Sequence, residues 1–261
     1  MHIVVLVKHV PEPTATWSFA DDLTLDRARV EGRLSELDEY AVEQALRLVE
    51  GGLDARITYL TLGPAKAVDG LRKALAMGGD DGVHVVDDAV HGSDALSTSL
   101  VLAKALEHTG FDLVLCGMAS TDAEMSVVPA MVAERLGAPQ VTFAGDLAVD
   151  AAAGTVTIHR DGDAATEEVV ASLPAVVSVT DRTGQARYPS FKAIMSGKKK
   201  PVTTLGLTDL GVEPAAVGAA AAGVVVRSVS VRPPRQAGEI VVDDGSAAVA
   251  VADFLAVRGF I

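Results

Sequence analysis

The sequence predicts an α/β fold, an open and mainly parallel sheet with helices on both faces, and three observations predict it. Short aliphatic runs alternate with amphipathic stretches from residue 3 to residue 136. The connections between them are short and carry Gly or Pro. The runs are continuous rather than alternating, as strands buried on both faces require.

Residues 3–7 form the first such run, and Lys8, His9 and Pro11 end it. Residues 14–33 are polar and irregular, with Trp17 and Phe19 among them. Ser35 and Asp38 mark a helix start. Leu37, Ala41, Ala45 and Leu48 then recur on one helical face until Gly51 and Gly52 stop it. Residues 56–62 read as the second strand, turned by Gly63-Pro64. Val68, Leu71 and Leu75 face one way on the next helix, which Gly78-Gly79 closes. Residues 83–86 are a short third strand, 94–108 a third helix, and 112–116 a fourth strand. Residues 117–125 are a loop, and 127–136 a fourth helix with Pro129 in its first turn, where proline is tolerated.

The rhythm then changes. Residues 141–149 and 155–171 read as an antiparallel pair around Gly154, and 175–180 as another buried strand. Phe191, Ile194 and Met195 follow on a loop beside Lys198, Lys199 and Lys200. Loops lie on the surface, so internal packing does not explain these apolar side chains. Next to charge they read as a docking anchor with an electrostatic guide. A lysine run is more often a solvated loop, and that reading stays open beside docking. Residues 212–224 are rich in Ala and Gly, Arg232-Pro233-Pro234-Arg235 cannot pair in a central strand, and 246–257 read as a terminal helix. The expected division is an α/β domain over 1–205, carrying the hairpin 141–171 and the loop 188–200, and an extended arm with a terminal helix over 206–261.

Composition narrows the function. Hydrophobic residues make up 49% and aromatics 4%, so the core is built from Ala, Val and Leu. The balance of 22 Lys+Arg against 35 Asp+Glu, net −13, argues against nucleic acid or an anionic membrane as the main partner. The single cysteine, Cys116, fits a reducing compartment. The N-terminal apolar run is too short for a signal-peptide core, no run reaches a membrane span, and no Arg-rich leader is present, so the expected location is cytoplasmic. The histidines form no H-x-x-x-H pair and read as structural; no metal site is expected. Cys116, at the end of an apolar strand, reads as buried rather than nucleophilic. No G-x-S-x-G elbow or Ser/His/Asp set is present, and no catalytic residue is expected. That describes a cofactor- and partner-binding chain.

In an open parallel sheet, ligands sit beyond the carboxyl ends of the strands near the topological switch. The loops 8–13 and 117–126 are therefore the candidates. Gly117 and Ser126 have two readings: a chain turn and a helix cap, or a phosphate site at a helix N-terminus.

Several motifs in order resemble the β subunit of electron transfer flavoproteins. They are Val7-Lys8 with Val10-Pro11, the run from Asp38 to Leu48, Gly63-Pro64, and the run from Lys73 to Gly78. Cys116-Gly117 with Ser120-Thr121-Asp122, the run from Leu173 to Val177, and Pro233-Pro234-Arg235 with Ala237-Gly238 complete the set. The resemblance implies an adenine-nucleotide α-hydrolase-like fold and an electron carrier rather than an enzyme with its own turnover. It implies an α subunit that holds most of a shared FAD, with the arm packing on it, and an AMP within this chain. Leu6, Lys8, Ser35, Asp38, Leu62, Gly117, Ser120, Thr121, Asp122 and Ser126 would line the cofactor site. Electrons would arrive from dehydrogenases such as acyl-CoA dehydrogenases in fatty acid oxidation, and leave to a quinone oxidoreductase. Phe191, Ile194, Met195, Lys198, Lys199 and Lys200 would meet the dehydrogenase. Asp161 matches a position tied to flavin-domain mobility. The chain departs from the family where a Gly- and Thr-bearing run usually follows: here it is Ala123-Glu124-Met125-Ser126, and Ser35-Glu36 replaces the usual Asn-Pro. A like charge beside a phosphate costs about 1 kcal/mol, so the expectation is a weakened or absent AMP site and no second FAD. The alternatives are a stand-alone adenine-nucleotide sensor and a β-like subunit that has lost AMP.

Overall fold

A computed structural model describes residues 1–235, 237–238 and 240–261. By contact, residues 1–227 form one compact unit and residues 228–261 a second.

In the first unit the chain runs β1 (His2–Leu6), β2 (His9–Pro11), β3 (Gly32–Leu34), α1 (Glu36–Glu50), β4 (Arg56–Leu62), α2 (Val68–Met77) and β5 (Asp81–Val85). It continues with α3 (Ala95–Thr109), β6 (Leu113–Gly117), α4 (Val128–Leu136), β7 (Gln140–Ala144), β8 (Asp146–Asp150), β9 (Thr155–Asp161) and β10 (Thr166–Ser172). It closes with β11 (Ala175–Val179), α5 (Phe191–Gly197), β12 (Val202–Leu205) and the short α6 (Gly218–Ala221). A seven-stranded parallel sheet has the order β12-β5-β4-β1-β6-β11-β7. Beside it stand a three-stranded antiparallel sheet, β10-β9-β8, and the β2–β3 ribbon.

The continuous aliphatic runs are explained by two cores. Along β1, Ile3 and Val5 enter one cluster with α1 and α2, while Val4 and Leu6 enter the other with α3 and α4. Successive side chains point to opposite faces, so a strand covered on both sides must be apolar throughout. Each such side chain contributes about 1.5–3 kcal/mol on burial. The chain steps from β1 outward through β4 and β5, then returns to β6 on the other side of β1. That reversal opens a crevice above β1 and β6.

The expected hairpin is built differently. Residues 141–144 belong to β7, parallel to β11, because Val141 and Ala144 are buried in the main core. Only β8, after Gly145, starts the antiparallel sheet, where Val156 and Ile158 of β9 close over the same core. Residues 191–197 are helix rather than loop: the Ser190 hydroxyl accepts a hydrogen bond from the Ala193 amide and caps α5. At the start of the expected arm, Leu207, Leu210, Val212 and Val217 fill the second core cluster. The second unit holds α7 (Ala247–Val257), an apolar helix with no buried residue. Among the described residues, no helix is long and apolar enough to cross a membrane.

Candidate functional site

The crevice is a cleft of about 370 Å³. Its floor is apolar: Leu6 from β1, Leu60 and Leu62 from β4, Leu102 from α3 and Cys116 from β6. Its rim is polar, with Lys8 after β1, Gly117, Ser120, Asp122 and Ser126 after β6, and Thr98 on α3. Burial pushes the Cys116 thiol up, and its Sγ donates to the Val177 carbonyl, so it is a wall and not a nucleophile.

Asp38 welds the two strand ends that form the crevice. Its Oδ2 accepts the Lys8 amide at 2.8 Å and its Oδ1 accepts the Gly117 amide at 3.3 Å. Burial raises its carboxyl to about 7, against the pull of those two amides and of the Lys8 ammonium. Gly117 is required by the same contact: a Cβ there would lie 2.7 Å from Asp38 Oδ1 and from the Leu37 carbonyl. Asp38 therefore does not cap α1, and Ser35, at its N-cap, makes no side-chain cap either.

Asp122 gathers the cations. Its Oδ1 meets Lys8 Nζ at 2.8 Å, and its Oδ2 meets an Arg27 amino group. Burial works upward on Asp122, but Lys8 and Arg27 overcome it and hold the carboxyl down at about 2. Lys8 also reaches Ser120 Oγ at 3.2 Å. Arg27 and Leu25, both lining the cleft, come from the irregular segment 14–33. That segment has no periodicity, so no sequence pattern singles them out.

Of the cofactor-site residues expected from sequence, Leu6, Lys8, Asp38, Leu62, Gly117, Ser120, Asp122 and Ser126 meet at this cleft. Ser35 and Thr121 do not line it; their hydroxyl oxygens are buried without a hydrogen-bond partner. Glu124 is exposed and outside the lining, whereas Ala123 and Met125 border it. Glu124 and Ser126 both adopt left-handed backbone, at φ 50° and 55°, which costs a non-glycine residue energy. This turn presents Ser126 to the cleft and Glu124 to solvent.

A second surface lies on α5. Phe191 is 78% exposed, and Ile194 and Met195 lie beside it. Lys198 and Lys199 are exposed, but Lys200 is turned inward: its Nζ donates to the Leu75 and Gly78 carbonyls, both at 2.8 Å. Lys200 thus caps the C-terminus of α2 and does not face outward with its neighbours, because that helix end leaves carbonyls to satisfy. Arg72 completes the mount by donating to the carbonyls of Gly197 and Lys200. Upstream, Arg187 pairs with Glu43 and Glu50, and Arg47 with Glu43, pinning the segment that leads into α5 to α1.

Asp161 sits at the end of β9. It pairs with Arg182 and accepts the Thr166 hydroxyl at 2.7 Å. The Thr166 bond and then Arg182 hold its carboxyl below the usual range.

Among the described residues, no cluster of His, Cys, Asp and Glu is set to hold a metal. The cleft volume is at the low end of the ~300–1,000 Å³ range of ligand pockets. It fits a mononucleotide, with apolar walls for a base and two cations at the rim for a phosphate, and is small for a dinucleotide.

Residues 22–210 match the family model of the electron transfer flavoprotein domain. The chain is 41% identical over 266 aligned positions to the electron transfer flavoprotein subunit beta of Mycobacterium tuberculosis, covering 100% of this chain and 99% of the relative. It is 42% identical to that of Mycobacterium leprae with the same coverage. It is 30% identical to that of Megasphaera elsdenii, covering 95% of each.

Proposed function

Because the chain belongs to the electron transfer flavoprotein family as a β subunit, we propose that it pairs with an α subunit that holds most of a shared FAD, takes electrons from acyl-CoA or related dehydrogenases, and passes them toward a quinone oxidoreductase. FAD, when bound, supplies the redox chemistry; this chain binds, orients and docks. The observation that carries the reading is the α5 platform, with Phe191, Ile194 and Met195 exposed on a helix fastened to α2. Apolar anchors that no internal contact explains are what a transient partner buries. Lys198 and Lys199 steer that encounter toward carboxylates. Asp161, tied to Arg182, fixes the end of the β9–β10 sheet, the face that would meet the flavin-bearing domain.

The cleft takes AMP, and takes it more weakly than a Gly- and Thr-bearing loop would. Glu124 faces solvent, so its charge is not the cause; Met125 on the rim and the strained turn through Ser126 are. The arm beyond residue 227 packs on the α subunit, and the pair works in the reducing cytoplasm. A stand-alone nucleotide sensor would have no use for the α5 platform.

The test is to co-express this chain with its α subunit, purify the pair, and measure reduction of its flavin by an acyl-CoA dehydrogenase. Phe191→Ala should slow that reaction about tenfold or more, as loss of a hot-spot anchor does, with unchanged FAD content. Unchanged rates would contradict the docking role.

A further inference from the structure

Residues 18–27 form a turned strap whose end, at Leu25 and Arg27, borders the cleft. An isolated antiparallel bridge joins Phe19 to Leu25, and the Ala20 amide donates to the Thr24 carbonyl, closing a tight turn. Leu23 holds that turn in left-handed backbone, at φ 65°. The strap is tied at two points. On the α3 side, Asp22 Oδ2 meets His91 Nε2 at 2.7 Å. On the α4 side, Arg27 meets Asp122. Between the ties, Leu25 and Arg27 line the cleft.

At Asp122 two cations meet one carboxylate. Lys8 and Arg27 share one carboxylate, Asp122, whose side chain is 2% exposed while theirs are 40% and 35% exposed. A guanidinium carries five N–H donors and an ammonium three. Arg27 uses donors on Asp122 and, at 3.5 Å, on the His9 carbonyl; Lys8 uses donors on Asp122 and Ser120. The other two acids in the lining are occupied by backbone amides, Asp38 by those of Lys8 and Gly117 and Asp94 by those of Ser97 and Gly223. Donors on Lys8 and Arg27 are left over beside Asp122. Asp122 keeps the two cations side by side, which their mutual repulsion would otherwise oppose.

We propose that Arg27 is the residue that recognises the anionic end of the cleft's ligand, so that the strap makes the site selective for a nucleoside phosphate over the nucleoside. This rests on the mononucleotide reading of the cleft. Arg27 binds the phosphate with donors that Asp122 leaves free, and Leu25 covers the apolar part. Asp122 has two effects: it organises the cations and competes with the phosphate for them.

The test is calorimetric titration of the purified α–β pair, stripped of its mononucleotide, with AMP and separately with adenosine. Arg27→Gln should weaken AMP about tenfold to a hundredfold, the size of a lost charge-assisted hydrogen bond, and change adenosine less than about threefold. Arg27→Lys should recover part of the loss. Asp122→Asn, which keeps the shape and removes the competing charge, should tighten AMP several-fold. If wild type binds AMP and Arg27→Gln weakens AMP and adenosine equally, or neither, Arg27 is structural and the inference fails while the cleft reading stands. If wild type binds neither ligand, both fail.

Discussion

Asp38 lies in the cleft wall with its carboxyl raised by burial to about 7, while an unfolded aspartate titrates near ~3.9. The folded state therefore holds a proton that the unfolded state has released. The stability this gives is fully present below pH ~4 and is lost as pH rises through about 7. Asp38→Asn should remove that dependence. In urea titrations from pH 4 to 8, wild type should lose up to about 1.4 kcal/mol per pH unit relative to the variant, and parallel curves would refute the assignment. At the same scale, Glu43 is 4% exposed and bonded to Arg187 and Arg47. Glu43→Ala removes the carboxylate that joins Arg187 to Arg47, leaving Arg187 only Glu50 and Arg47 only the Thr183 and Gln185 carbonyls, and should cost about 1–3 kcal/mol in unfolding free energy. Lys8, Gly117 and Ser120 were legible because they follow strand ends in a fold that places ligands there, whereas Asp38, on α1, entered the site only through the family resemblance. Arg27 was not, because segment 14–33 has neither helix nor strand period and its position is set by Asp122 and His91, far away in sequence.

At the scale of elements, α5 is a helix on a mount. Gly197 lets it approach α2 so closely that a Cβ would lie 2.7 Å from the Ala76 amide nitrogen. Lys200 caps α2 from the same joint. The lysines therefore divide by task. Lys198→Gln and Lys199→Gln should reduce the salt dependence of flavin reduction by the dehydrogenase and leave melting temperature unchanged. Lys200→Gln should lower melting temperature and leave the salt dependence as in wild type; stopped-flow rates over a salt series separate the two. From sequence, the strands β1, β6 and β11 were plain as near-continuous apolar runs, and β4 as a stretch of β-branched, aromatic and aliphatic residues from Ile57 to Leu62. The break between β7 and β8 was not, since a single glycine, Gly145, turns the chain from the parallel to the antiparallel sheet. α5 was hidden for the opposite reason: two turns of helix with most side chains exposed bury too few residues to leave a periodic mark.

At the scale of the molecule, every buried hydrophobic residue among the described residues lies within residues 1–227, and the second unit carries exposed apolar side chains, among them Val242, Val257, Phe260 and Ile261. A chain ending at residue 227 keeps both cores. It should remain folded by circular dichroism and fail to co-purify with the α subunit. The most direct measurement on the whole account is made with the intact pair: denature it and quantify the released nucleotides by mass spectrometry. The expected yield is one FAD per pair, and AMP that is present below one equivalent after gel filtration and is restored by added AMP. A full equivalent of AMP that survives dilution would contradict the weakening assigned to Met125 and the Ser126 turn. Release of no flavin from an intact pair would contradict the electron-carrier function itself.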